Sequence, residues 1–188
     1  MGRPKQTLLI DGTPMLERIL ETLRRTKVEQ VVVVLGDHSA QVKRGVKFDK
    51  EKVVVNREFH EGMSSSLKLG LREAPKEAGA ALVVLGDQPF VQPETIDRML
   101  EAYLRSKATV VVPVLRGKRG NPVLLDRRLF PEVEIIRGDV GAKSVVRRHG
   151  KEVLEVEVSD EGVLQDLDTP ADLPDRSVVR RRRSRESA

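Results

Sequence analysis

A run of five apolar residues, VVVVL at positions 31–35, constrains the fold more than any other feature of the sequence. Four of the five are β-branched valines and none is polar, so the run predicts a strand that is buried on both faces. Comparable runs occur at residues 80–85 and 109–114, and stretches with helical spacing of apolar residues separate these strands. This alternation predicts an α/β fold of βαβ units around a mainly parallel sheet.

The remaining elements follow from the same periodicities and from turn residues. Further strands are predicted at residues 52–56, 123–125, 152–158 and 163–167. Helices are predicted at residues 64–74 and 93–106, near Gly141, and after Thr13-Pro14, read as an N-cap followed by a first-turn proline. The sequence shows no internal repeat and no linker before residue 174, so residues 1–175 are predicted to form one domain.

The net charge of +5 belongs to the end of the chain. Residues 176–188 hold six arginines and one glutamate, which leaves 28 basic and 28 acidic side chains in the first 175 residues. Such a run is typical of a solvated, disordered tail. Binding of nucleic acid through this tail is the alternative, and the aromatic content of 3% disfavours it because no stacking surface accompanies the arginines.

Several classes of protein are disfavoured by what the sequence lacks. It has no cysteine, so there is no disulfide framework and no thiolate site, and the cytoplasm is the expected compartment. It has no apolar run of about 18 residues, so no membrane partner is expected. His38, His60 and His149 lie far apart without the spacing of metal ligands and are expected to be surface or structural residues.

Two carboxylates follow predicted strands, at the edge of the sheet where α/β proteins bind ligands. Gly86 and Asp87 come directly after the strand at residues 80–85. Asp166 and Asp168 lie in and after the strand at 163–167 and alternate, so they are expected to share a face. Asp87 and Asp168 together would suit Mg²⁺ and metal-assisted phosphoryl or nucleotidyl transfer. The alternative is that each aspartate only caps a turn or a helix.

Two other segments have the chemistry of a nucleotide site. Gly62 and the serines Ser64, Ser65 and Ser66 stand at a predicted helix start, where N–H groups and hydroxyls can bind a base or a phosphate. A serine N-cap is the simpler alternative. The stretch RGKRGNPV at residues 116–123 combines glycines, three cations, an asparagine and a proline, and suits an anionic substrate or, alternatively, a β-turn.

These motifs, taken in order, resemble the MobA-like nucleotidyltransferase superfamily and, within it, the molybdenum cofactor cytidylyltransferases. The family pattern reads LAAGxSxRMGxPK, GMSSSL, GDxPxV, GxRGNPV, GDxGAR and DIDTPxDL. This sequence has MGRPK (1–5), GMSSSL (62–67), GDQPFV (86–91), GKRGNPV (117–123), GDVGAK (138–143) and DLDTPADL (166–173). GMSSSL and RGNPV favour the cytidylyl branch over the guanylyl branch.

The resemblance implies a three-layer Rossmann-like nucleotidyltransferase fold, with one reversed strand in a mainly parallel mixed sheet. The implied reaction joins CTP to molybdopterin-bound molybdenum and releases pyrophosphate. Mg²⁺ is the implied cofactor, and a molybdoenzyme or its maturation chaperone is an implied partner. The implied catalytic residues are Lys5, Asp87 and Asp168, of which the two aspartates hold the metal. The implied nucleotide-binding residues are Arg3, Lys5, Gly62, Ser64, Ser65, Ser66, Gly86 and Asp87, and the implied substrate-binding residues are Arg119, Gly120, Asn121, Pro122 and Asp139.

The sequence departs from the family pattern at its beginning. The pattern has a strand, a glycine-rich loop and an arginine before the methionine that aligns with Met1. In the family this strand is central, so its absence would expose the hydrogen-bonding edges of its neighbours. The absence of the loop would remove N–H groups that bind the triphosphate. A start codon assigned too late is therefore expected, and an in-frame segment resembling LAAGxSxR upstream of Met1 would show it.

Three alternatives to cytidylyl transfer remain open at the level of the sequence. The enzyme could use GTP, or it could act on a different sugar-phosphate or acid-phosphate acceptor. The chain could also be a non-catalytic protein that holds the cofactor, which the missing loop favours and the retained Lys5, Asp87 and Asp168 oppose.

Overall fold

The computed structural model describes residues 4–168 and residue 172. In this part of the chain the strands are β1 (Leu9–Ile10), β2 (Thr13–Pro14), β3 (Val32–Leu35), β4 (Lys52–Val55), β5 (Ala80–Val83), β6 (Val110–Leu115), β7 (Lys118–Arg119), β8 (Val123–Asp126) and β9 (Val153–Glu157). The α-helices are α1 (Met15–Arg24), α2 (Ser39–Gly45), α3 (Met63–Arg72), α4 (Pro93–Ser106), α5 (Phe130–Glu134) and α6 (Ala142–Arg148). Short 3-10 helices cover Lys5–Thr7, Phe59–Glu61, Arg127–Leu129 and Glu161–Leu164.

The main sheet has five strands and is mixed, as predicted, although two strands run against the others where the resemblance implies one. β8 pairs antiparallel with both β5 and β6, while β9 pairs parallel with β6. β5, β6 and β9 therefore run in one direction and β8 runs against them, together with the two-residue β7. The carboxyl ends of β5, β6 and β9 consequently lie at one edge of the sheet.

Helices cover both faces of this sheet, which confirms the three-layer prediction. On one face α4 packs through Met99 and Tyr103 against strand residues such as Val111 and Leu124. On the other face α3, α5 and α6 pack against residues of β6 and β8 in a second cluster. Every residue of β6 is buried, as the continuous apolar run predicts for a strand covered on both faces.

Helix α1 forms through the expected apolar face. Its buried residues are Met15, Leu16, Ile19, Leu20 and Leu23. The prediction that Thr13 caps this helix is wrong, because Thr13 and Pro14 pair with β1 in a short antiparallel hairpin and the helix begins at Met15. The pairing with Leu9 and Ile10 holds both residues in extended conformation.

Strands β3 and β4 form a separate parallel pair. Within residues 4–168, β3 is hydrogen-bonded along one edge to β4, and β5 along one edge to β8. The two sheets share helices: the cluster around α1 contains both Val33 of β3 and Leu82 of β5. The second edges of β3 and β5 thus lack a strand partner among the described residues. The expected strand before Met1 stays a prediction.

One predicted strand is wrong. Residues 163–167 do not form a strand; Glu161–Leu164 form a 3-10 helix whose first turn is capped by the Asp160 side chain, which accepts from the Gly162 N–H. Helix α2 was not predicted, because it is short and Val42 is its only buried residue. The tail at 176–188 lies outside the described residues.

Candidate active site

Lys5, Asp87 and Asp168 come together at the sheet edge. The Lys5 ammonium donates to Asp168 Oδ1 at 2.7 Å and to Asp87 Oδ2 at 3.5 Å. Lys5 opens the first 3-10 helix, Asp87 follows β5, and Asp168 follows the last 3-10 helix. The side chain of Asp87 is 30% exposed and that of Asp168 is 68% exposed, so both carboxylates remain accessible to a ligand.

The electrostatics of this trio follow from its geometry. The hydrogen bond to Asp168 raises the pKa of Lys5, partial burial opposes this, and the charge of Asp87 adds to the rise. Lys5 is therefore a permanent cation at neutral pH. An ammonium held between two carboxylates can turn toward a phosphate when an anionic ligand arrives, because phosphate oxygens accept the same donors.

Backbone and side-chain contacts join the two segments that carry the carboxylates. The N–H of Leu167 donates to the carbonyl of Asp87 at 2.7 Å. The amide of Gln88 donates to Asp166 Oδ1 at 2.6 Å. Sequence reasoning singled out Asp166 by its alternation with Asp168, but it missed Gln88. The sequence offered one weak indication of a role for Gln88: it is polar, and it directly follows a candidate metal ligand.

Asp87 and Asp168 provide the oxygen donors that a divalent cation such as Mg²⁺ needs. The structure shows that the two carboxylates converge on one cation, the Lys5 ammonium. Among residues 4–168 and 172, no group of three or more histidine or carboxylate side chains is arranged to hold a metal. Two carboxylates suit a metal that completes its shell with water and substrate phosphates. The donor set therefore fits a nucleotide-bound Mg²⁺.

The start of α3 is packed against the loop that precedes α6. The N–H of Ser64 donates to the Gly138 carbonyl at 3.2 Å, and the N–H of Met63 donates to Asp139 Oδ1 at 3.3 Å. Gly62 has a φ of 95° and lies against this loop, so that a Cβ there would be 2.5 Å from the Gly138 carbonyl carbon. Asp139, assigned to substrate binding from the resemblance, here accepts from the helix start.

The serines of this segment make internal hydrogen bonds. Ser65 is buried, and its hydroxyl donates toward the carbonyls of Glu58 and Gly62. Asn56, 3% exposed at the end of β4, donates its amide to the hydroxyls of Ser65 and Ser66. Asn56 was missed by sequence reasoning, which included it as the last residue of the strand predicted at 52–56. The roles of Ser64, Ser65 and Ser66 in base recognition stay predictions.

The basic loop after β6, residues 116–123, is held against neighbouring segments by hydrogen bonds. Arg119 donates to Glu155 at 2.6 Å and to the carbonyl of Gly150 at 3.1 Å, so its guanidinium lies along β9. The N–H of Asn121 donates to the Val163 carbonyl at 2.9 Å, and a Cβ on Gly120 would be 2.5 Å from that same oxygen.

This basic loop, then, supports the segment that leads to Asp168. The substrate roles of Arg119, Gly120, Asn121 and Pro122 stay predictions, and Arg3 lies outside the described residues.

None of the helices in the described part of the chain is long and apolar enough to cross a membrane.

Comparison with known proteins supplies a family. A family model described as "MobA-like NTP transferase domain" matches residues 1–153. A protein from Paenarthrobacter nicotinovorans called nicotine blue oxidoreductase is 31% identical over 178 residues, which cover 90% of this chain and 86% of that protein. The bifunctional protein GlmU of Cereibacter sphaeroides is 33% identical over 110 residues. The match covers 58% of this chain and 24% of the length of GlmU.

Solved structures agree with the family model. The crystal structure of Rv0371c from Mycobacterium tuberculosis H37Rv has a TM-score of 0.81 and 29% identity, and the match covers 92% of this chain and 87% of that one. Its complex with manganese matches with a TM-score of 0.78 over 91% of this chain and 90% of that one. These similarities, together with the mixed sheet and its helical layers, show an α/β nucleotidyltransferase fold.

Proposed function

Because this chain belongs to the MobA-like NTP transferase domain family, we propose that it is a Mg²⁺-dependent nucleotidyltransferase that transfers CMP from CTP to a molybdopterin-type molybdenum cofactor. The observation that carries the proposal is the meeting of Lys5, Asp87 and Asp168, three residues from distant parts of the chain, at the carboxyl end of β5. The choice of CTP and of the acceptor rests on the motifs at residues 62–67 and 117–123.

The reaction balances without a covalent enzyme intermediate. A phosphate oxygen of the acceptor attacks the α-phosphorus of CTP and forms the new P–O bond. The bond between the α-phosphorus and the bridging oxygen breaks, and pyrophosphate leaves with that electron pair. The residues around the site bind and orient the two anions, which lowers the barrier by holding the attacking oxygen near the phosphorus.

Each residue of the trio has a part in this scheme. Lys5 turns its ammonium from the carboxylates to the triphosphate and offsets negative charge there. Asp87 and Asp168 hold Mg²⁺, which, when bound, supplies charge neutralisation at the phosphate oxygens. A Cβ on Gly86 would meet no atom within 4 Å, so the backbone beside Asp87 is open to a close-lying phosphate or sugar.

Two relatives support and qualify the proposal. The structure of Rv0371c with manganese supports a divalent ion as the metal of this fold. Nicotine blue oxidoreductase, by its name, acts in a redox reaction, and its similarity over 90% of this chain gives a second candidate function. The two functions differ in products, because nucleotidyl transfer releases pyrophosphate and a redox reaction does not.

The test is an incubation of the purified protein with Mg²⁺, molybdopterin cofactor and each NTP in turn, with pyrophosphate measured. Release with CTP and acceptor together is the expected result. Release with GTP but not with CTP would overturn the cytidylyl assignment and favour the guanylyl alternative.

A parallel incubation addresses the second candidate. It contains nicotine blue and a reduced nicotinamide as electron donor, and its readout is oxidation of the nicotinamide. Oxidation without pyrophosphate release in any NTP assay would replace the proposal with a redox function. Binding of the cofactor without either reaction would favour the non-catalytic carrier.

A further inference from the structure

Two segments far apart in the sequence carry the carboxylates of the site, and they are joined beside it. One segment follows β5 and contains Asp87 and Gln88; the other follows the last 3-10 helix and contains Asp166 and Asp168. Among the described residues, the Lys5 ammonium joins the side chains of Asp87 and Asp168. A second link, which does not involve Lys5, is the bond of 2.6 Å from the Gln88 amide to Asp166 Oδ1.

The burial of Gln88 fixes the direction of its hydrogen bond to Asp166. Gln88 is 3% exposed, and it lines a narrow apolar pocket with Ile19, Leu23 and Val84. Its stem is therefore fixed among apolar side chains, and its amide is aimed at the partly exposed neighbouring segment. A buried amide needs such a partner, because an unpaired polar group costs about 1–3 kcal/mol.

We propose that Gln88 and Asp166, which we call the carboxylate clasp, are positioning residues that hold Asp87 and Asp168 at the spacing a divalent metal requires. The inference rests on the proposed function in one respect, the use of Asp87 and Asp168 as metal ligands. Gln88 directly follows one of these ligands, and Asp166 stands two positions before the other.

The need for the clasp follows from the charges. While Lys5 lies between the carboxylates, it offsets their mutual repulsion. When Lys5 turns to an incoming triphosphate, Asp87 and Asp168 lose this shared counterion until a metal ion replaces it, and in that interval their like charges push the segments apart. The clasp pairs a neutral amide with a carboxylate, so it persists when Lys5 moves. The backbone bond from Leu167 to Asp87 joins the segments directly at the site, and the clasp adds a side-chain bond that limits their relative rotation there.

The experiment measures Mn²⁺ binding to the purified protein without nucleotide, from the electron paramagnetic resonance signal of free Mn²⁺. Gln88→Glu places a second carboxylate against Asp166 and breaks the clasp. The double variant Gln88→Glu/Asp166→Asn restores it with the donor reversed, since the asparagine amide then donates to the glutamate. The double variant also has the net charge of the wild-type protein.

The expected result is that Gln88→Glu weakens Mn²⁺ binding about tenfold, the lower end of what losing a hydrogen bond that supports metal ligands costs at other sites. The double variant is expected to recover to within about threefold of wild type, because the reversed bond again joins the two segments. Gln41→Glu, on the exposed surface of α2, is the matched control for the added charge. An added negative charge on its own favours cation binding, so weaker binding in Gln88→Glu runs against the general charge effect.

Other outcomes overturn the inference. Equal Mn²⁺ affinities of wild type and of both Gln88→Glu and Gln88→Met, all folded by thermal melting, would exclude the clasp while leaving the metal site intact. Gln88→Met is included because a buried glutamic acid that keeps its proton still donates to Asp166. Failure of the double variant to recover would assign the loss to packing around Gln88. Absence of Mn²⁺ binding in wild type would remove the metal site and the inference together.

Should Gln88→Glu not fold, Gln88→Met replaces it. This variant removes the amide without adding charge, and the same weakening of Mn²⁺ binding is expected. An unchanged affinity in Gln88→Met would contradict the clasp.

Discussion

Lys5 shows how far a single residue can depend on the rest of the chain. Its ammonium meets carboxylates that are 82 and 163 positions away in the sequence. Each carboxylate comes from a different segment, so the trio exists only when the sheet is assembled. Substitutions at these residues should therefore change activity more than stability, because the ion pairs are partly exposed and surface pairs contribute about 1 kcal/mol or less.

Replacing either carboxylate by its amide should lower the rate of nucleotidyl transfer strongly. Asp87→Asn and Asp168→Asn are each expected to lower kcat/KM about a hundredfold or more, equivalent to about 3 kcal/mol of transition-state stabilisation. The reason is that a neutral amide is a poor ligand for a divalent cation. Pyrophosphate release measures the effect, with Asp49→Asn at an exposed site as the matched control. Unchanged turnover in both variants would exclude their role in holding the metal.

His149 provides a pH dependence away from the active site. Its ring contacts Glu132 at 2.7 Å and Glu152 at 3.3 Å, and Arg148 also pairs with Glu132. The hydrogen bond to Glu132 raises the pKa of His149, and partial burial opposes this rise. A raised folded-state pKa means that the folded protein binds the proton more tightly than the unfolded chain. The resulting stability is fully present below the unfolded pKa of about 6.5 and is lost as the pH rises through the folded pKa.

His149→Gln tests this sign. Its free energy of unfolding should fall below that of wild type by about 1 kcal/mol or less at pH 6, and the difference should shrink as the pH rises toward 8–9. Urea titrations of both proteins at pH 6 and at pH 8–9 measure this difference in the free energy of unfolding. A difference that is equal at both pH values would show that the loss comes from packing and not from the charged ring.

Among the elements, the segment between β9 and Asp168 departs most from its predicted form. The sequence predicts a strand at residues 163–167, whereas Glu161–Leu164 form a 3-10 helix that lies against the loop after β5. Gly162 makes the close approach possible: a Cβ there would lie 2.3 Å from the carbonyl carbon of Phe90 and 2.6 Å from the Val91 nitrogen. All of these are backbone atoms, so the two segments would have to separate.

Gly162→Ala should therefore destabilise the protein. The expected loss is about 1–3 kcal/mol in the free energy of unfolding, the range of an overpacked interior site, with a lower kcat because Asp168 follows the displaced segment. Gly150→Ala is the matched control, since the nearest atom to its added Cβ is 3.5 Å away. Chemical denaturation of both variants measures the effect. Equal stabilities of the two variants would contradict the close packing at Phe90.

On the scale of the whole molecule, the two sheets differ in how they are held. β6 is paired with β7, β8 and β9, and all of its residues are buried. β3 pairs only with β4 among the described strands, and both end residues of β4 are exposed. Backbone hydrogen bonds near solvent open at lower cost than those in a fully covered strand.

Hydrogen exchange should follow this difference. Amides of β6 and β8 are expected to exchange most slowly, at the rate of global unfolding. Amides of β3 and β4 are expected to exchange faster, through local opening. Mass spectrometry of peptic peptides covering residues 31–35 and 109–115 measures the two rates. Equal rates in the two peptides would mean that both sheets unfold as one unit.

The sequence by itself determined the longer helices and the buried strands. Helix Pro93–Ser106 and the buried strand Val110–Leu115 follow from hydrophobic periodicity, which is a local property of the chain. It also determined that Asp87 follows a strand, because strand ends can be read from the apolar run. Periodicity carried too little information for α2, where Val42 alone is buried.

Only the tertiary structure decided which polar groups meet. The bond between Gln88 and Asp166 spans 78 positions, and the turn of Arg119 toward Glu155 spans 36. Such partners depend on how helices and strands pack, and no local pattern encodes a distance across the fold. The aspartates of the candidate site could therefore be named from the sequence, whereas the residues that hold them in place became visible only in the folded chain.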